Sequence, residues 1–132
     1  MLKSKVKLIE DMYNLIIASE LVSLLGNFTP ELKAITYSAV DEEWTIPETG
    51  GFIVFSIDGN TPRASESAVT SEDVVIKFFI SGDNDIEIEE QLVKLLNGVS
   101  VGVYYSTYLG TNTVPKSPQN TKSALTARFK LN

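Results

Sequence analysis

Apolar residues between positions 6 and 17 recur at Val6, Ile9, Met12, Tyr13, Ile16 and Ile17, the spacing of one helical face. Ser19 and Glu20 can open a short second helix through Leu21, Val22, Leu24 and Leu25. Gly26 and Asn27 then supply a left-handed stop. One long helix through residue 25 is the alternative, since Ala18 would not interrupt it. From Lys33 the period falls to two, and a strand is expected over Ala34–Val40. Pro47 and Gly50-Gly51 mark a turn, and Phe52–Ile57 reads as a strand closed by Asp58-Gly59.

Residues 59–66 read as loop, with Pro62 and small polar groups. Val74–Ile80 is apolar on nearly both faces, as a covered central strand would be, and is expected to begin near Ser67. Gly82 breaks it. Asp83, Asn84 and Asp85 offer N-caps, and Glu87, Glu89 and Glu90 suit the positive end of a helix. Ile88, Leu92, Leu95 and Leu96 form that helix's stripe, Glu90 and Lys94 are an i,i+4 pair, and Gly98 ends it. A strand over 99–105 would turn Val99, Val101, Val103 and Tyr105 inward and Tyr104 outward. Residues 106–122 read as a long polar loop with Pro115 and Pro118. The last segment sets Leu125, Ala127, Phe129 and Leu131 against Thr126, Arg128 and Lys130.

The order helix, three strands, helix, two strands predicts an α+β fold. It is a mostly antiparallel sheet of four to five strands, with the N-terminal helix and a second helix (about 84–97) packed on one face. A length of 132 residues, 43% of them hydrophobic, suits one domain spanning 1–132 with a real core.

Composition narrows the chemistry. The chain has no cysteine and no histidine, so disulfides, thiolate chemistry and imidazole ligands or bases are absent, and any metal site would be all oxygen. The N-terminal stretch is interrupted by Lys7, Glu10 and Asp11, unlike a signal or a membrane span. Net charge is −6, and the pI near 4.6 disfavours general nucleic-acid binding. All 17 acids lie within residues 1–90, whereas residues 91–132 carry five basic residues and no acid. Either folding interleaves these halves or it leaves two patches of opposite sign.

Asp83-Asn84-Asp85-Ile86-Glu87 looks like the start of a calcium loop. The sixth position, however, holds Ile88 where glycine is required, and the twelfth holds Lys94 where glutamate is required, so helix capping accounts for it. Asp41, Glu42, Glu43 and Glu48 read as an acidic turn. Gly50-Gly51 lacks the lysine and Ser/Thr of a phosphate loop, and no serine has a histidine to activate it. No enzyme and no cofactor are expected. Interface candidates are Asp41, Glu42 and Glu43, with Trp44 and Ile46 projecting beside Pro47. Tyr104 and Tyr108 come from a tyrosine-rich strand end. Arg63, Lys116 and Lys122 lie on the long polar segments 59–73 and 106–122, and Arg128 and Lys130 on the outer face of the last strand. Both long segments are expected to be mobile in the free protein and to order on assembly.

The arrangement resembles the tail-completion or tail-terminator proteins of long-tailed bacteriophages and related prophages. The residues behind it are the N-terminal helix leading to Leu21-Val22-Ser23-Leu24-Leu25-Gly26, then Phe52-Ile53-Val54-Phe55. Glu66-Ser67-Ala68-Val69 follows, running into Val74-Val75-Ile76-Lys77-Phe78. The helix Glu90–Gly98 and the terminal strand Ala127-Arg128-Phe129-Lys130-Leu131 complete it. The likeness is one of order and spacing, and it carries no functional residue over. It implies a non-enzymatic virion protein at the head-proximal end of the tail, assembled in the host cytoplasm. Such a protein forms a ring, usually a hexamer, that caps the tail tube. Its implied partners are further copies of itself, the tail tube protein and the head–tail connector or stopper protein. DNA passes through the ring without sequence recognition, and no membrane is involved. A head-side connector or minor capsid protein, and a monomeric ligand-binding module of ferredoxin-like layout, are the alternatives.

Overall fold

A computed structural model describes residues 4–26, 35–37, 50–65, 68–116 and 123–132. Helix α1 spans Lys5–Ile17. Ser4 starts it, its hydroxyl accepting from the Lys7 amide. A separate 3₁₀ turn, Glu20–Leu24, follows after Ser19, which accepts from the Leu21 amide, so the two-segment reading holds and the single long helix does not form. The buried face of α1 is Leu8, Met12 and Ile16. Val6, expected on that face, is 69% exposed one turn before the packed region begins.

Among the described residues the sheet has six strands: β1 (Ile35–Tyr37), β2 (Phe52–Ser65), β3 (Ala68–Ser81), β4 (Val99–Val101), β5 (Tyr104–Thr113) and β6 (Ala124–Leu131). Their spatial order is β1-β2-β3-β6-β5-β4, antiparallel throughout except for the short edge strand β1, which runs parallel to β2. The α+β class with one mostly antiparallel sheet is as expected, with five antiparallel strands and one short parallel one. The strand expected over 99–105 is in fact two, because Gly102 (φ 61) and Val103 form a tight turn that pairs Val101 with Tyr104.

Helix α2 (Asp85–Leu96) lies across β3, β4, β5 and β6, while α1 packs on β4 and the 3₁₀ turn. The face beneath them is apolar by strict alternation. Ile53 and Phe55 of β2 pair with Ile80 and Phe78 of β3, which pair in turn with Leu125 and Ala127 of β6. Phe55 stacks on Phe78 with centroids 5.6 Å apart, and Phe129 meets Phe78 edge-on at 5.5 Å. Leu8, Met12 and Ile16 from α1 and Ile88, Leu92 and Leu96 from α2 close this core from above.

Two segments expected as long loops are strands. Residues 59–65 continue β2 and β5 carries the chain through Thr113, while β3 begins at Ala68, in line with the start expected near Ser67. Cross-strand pairing overrides the weak local signal. Pro62 is accommodated because, among the described residues, β2 has only β3 beside it there.

Candidate functional site

Beyond the sheet proper, β2 and β3 run on as a two-stranded arm. β6 pairs with β3 only from Val74 onward and β1 reaches only Phe55, so Thr61–Ser65 and Ala68–Asp73 have no strand but each other among the described residues. At the base of the arm, Glu72 accepts from Asn60 and forms an ion pair with Lys5 at 3.0 Å, which ties the arm to the start of α1. The Lys5 ammonium holds the Glu72 carboxyl below the usual carboxylate range, helped by the Asn60 amide and opposed by desolvation.

The second open edge belongs to β5. β4 pairs with β5 only at Tyr104–Ser106, and the next amide, Tyr108, is taken by the Asn97 side chain at 3.1 Å. From Leu109 to Thr113 the β5 edge faces no described strand. A bulge between Tyr108 and Gly110 leaves Leu109 52% exposed beside it. On the helix side of this edge the Glu89 carboxylate accepts from Tyr108 (3.2 Å) and Thr111 (3.1 Å), whose hydroxyls also bond each other.

The sheet face away from the helices is mixed. Phe52 and Phe79 meet there with centroids 6.1 Å apart. Asp58, the extra residue of a β2 bulge, is re-aimed between Lys77 (3.7 Å) and Arg128 (3.2 Å). Arg128 and Lys130 therefore point outward as expected, but the carboxylate beside Arg128 is its own chain's Asp58. Since β6 lies between β3 and β5, folding sets the acid-free C-terminal strand against the acidic N-terminal part of the sequence.

The remaining candidates fall in different places. Tyr104 lies inside, 2% exposed, and Tyr105 outside at 49%, the reverse of the expected pair. The two-residue turn resets the alternation, so Val103 sits exposed at its tip. Burial pushes the Tyr104 hydroxyl above its ordinary pKa, and the nearby Glu72 charge adds to the shift. Tyr108 is half-buried in the Glu89 cluster. Lys116 is exposed just past β5, and Arg63 occupies the arm opposite Ser71. Asp41, Glu42, Glu43, Trp44, Ile46 and Lys122 lie outside the described residues.

At the would-be calcium loop, Asn84 donates to the Leu24 carbonyl at 2.7 Å instead of capping α2. Asp85 turns inward to accept from the Ile86 amide and the Ser123 hydroxyl. A shallow cleft of about 210 Å³ nearby is lined by Glu20, Ser23, Leu24, Glu87, Glu90 and Gln91. Among the described residues no group of three or more carboxylates could hold a metal ion, and no helix is long and apolar enough to cross a membrane. What sequence reasoning missed is the pair of open strand edges. Their only signal is the β-favouring run Ala68-Val69-Thr70 and the threonines at 107, 111 and 113.

Compared with known proteins, the chain matches no family model, and no curated protein is significantly similar to it.

Proposed function

We infer that this chain is a structural subunit that works by assembling with copies of itself into a ring. The ring is of the kind that caps a phage tail tube and joins it to the head connector, as the resemblance in element order implies. The observation that supports assembly is the β2–β3 arm. An isolated two-stranded ribbon is marginal in water, and among the described residues this one runs on past β1 and β6 with only its own two strands paired. A chain that keeps such an arm gains from it when another chain covers it. The tail tube protein and the connector are the partners of the finished ring, and its place is the head-proximal end of the tail.

The test is mass in solution by sedimentation and native mass spectrometry at micromolar concentration, followed by electron microscopy of the particles. A closed ring of several subunits that binds the end of purified tail tubes is the expected outcome. A ring that binds only the head portal moves the protein to the head side of the joint. A strict monomer across that range sinks the assembly reading and favours a ligand-binding module.

A further inference from the structure

We propose that the first turn of α1 and the β2–β3 arm form one coupled element, joined through Lys5 and Glu72, that orders and loosens as a unit within the chain.

Each half is weakly held by itself. The helix begins beyond the packed region, with Val6 69% exposed and Leu8 the first buried residue. Its first turn carries Lys5 and Lys7 and no acid, the wrong sign for the positive end of a helix. The Ser4 hydroxyl, accepting from the Lys7 amide, is the cap that offsets this. The arm is weak for a different reason. Among the described residues, Thr61–Ser65 and Ala68–Asp73 pair only with each other, and a lone ribbon is marginal in water.

Glu72 supplies what each half lacks. Its carboxylate meets the Lys5 ammonium at 3.0 Å, bringing an acid to a helix end that has none of its own. Its other oxygen accepts from Asn60 on the facing strand, so both strands at the base of the arm are tied to the helix. The Glu72 side chain is only 9% exposed, and the buried Tyr104 stands close enough to feel both charges of the pair. Water and salt therefore screen this contact less than the Lys7–Asp11 pair on the same turn, where Lys7 is 65% exposed. A contact made only when both halves are in place stabilises each through the other, and by linkage equally in both directions. It is internal to one chain and operates alike in a monomer and in a ring.

Native-state amide exchange on the full chain tests this, with two variants that touch one half each. Ser4→Ala removes the helix cap, and Glu72→Gln removes the charge of the carboxylate while keeping its shape. In wild type, the Leu8 amide bonds the Ser4 carbonyl at 3.1 Å. That amide and those of the arm should share one opening free energy, below that of β6. Ser4→Ala should speed exchange at Leu8 and throughout the arm by the same factor, about fivefold for an ordinary cap. Glu72→Gln should likewise speed both. In the Glu72→Gln chain, adding Ser4→Ala should then speed Leu8 alone. A Ser4→Ala chain whose arm exchanges at the wild-type rate overturns the coupling. So does an arm response to Ser4→Ala that survives undiminished in the Glu72→Gln chain, because the link would then not run through this carboxylate.

Discussion

Gly51 shows how tightly one end of the core is built. A methyl group placed on it would lie 2.1 Å from the Ile88 side chain and 2.8 Å from the Asn84 amide oxygen. The strand therefore approaches the first turn of α2 as closely as a bare backbone allows, and Asn84 reaches past it to the Leu24 carbonyl. Gly51→Ala should thus cost about 1–3 kcal/mol, the range for overpacking a filled core. Ala at Gly59, where the same methyl meets nothing within 4 Å, should be far milder. Urea midpoints of the two variants check this, and equal losses would show that α2 can shift to make room. Single-residue facts of this kind were legible only where chemistry is local. The start at Ser19 and the apolar stripe of α2 follow from spacing. The side on which Tyr104 falls depends on a turn at Gly102-Val103 that alternation alone does not reveal, because Val103 continues the apolar pattern.

At the scale of elements, strands with a buried face were readable and strands without one were not. β6 and the core half of β3 announce themselves by alternation because one side is packed. The β2 stretch Thr61–Ser65 and the far half of β5 are mostly polar in sequence, and polar, Pro-containing stretches look like loops until a partner strand is known. The anchor of the arm is equally non-local, joining Lys5 to Glu72 across about half of the sequence. That pair has a pH signature. Glu72 is held below the ordinary carboxylate range in the folded chain, so its contribution is present above the unfolded pKa and is lost as pH falls through the lowered folded value. Glu72→Gln should be less stable than wild type near neutrality, and the difference should close on the acid side. Unfolding midpoints from neutral pH to about pH 2 measure it. A gap that persists undiminished at the acid end would assign the loss to packing and not to charge.

At the scale of the whole molecule, the last strand of the sequence is a central strand of the sheet. β6 bonds β3 on one side and β5 on the other, and Phe129 touches both Phe78 (5.5 Å) and Tyr108 (5.3 Å). The two halves of the sheet are joined through these C-terminal residues, so their stability is shared. The arm stands outside that unit, since none of Thr61–Ser65 or Ala68–Asp73 pairs with β6. Phe129→Ala removes a fully buried ring and should cost about 3–5 kcal/mol, a large part of the roughly 5–15 kcal/mol that holds a domain folded. Native-state amide exchange resolves where that loss goes. In β3 from Val74, in β5 from Tyr104 to Tyr108 and in β6, the opening free energy should fall by one common amount, because those amides exchange only through global unfolding. Amides of the arm open locally, as a ribbon held by one hairpin ladder and the Lys5 tie, so their exchange should be faster than that of β6 in wild type and unchanged in the variant. A fall in the arm equal to that in β6 would place the arm inside the cooperative core. A fall confined to β3 and β6 would mean that β5 is held independently of the strand beside it.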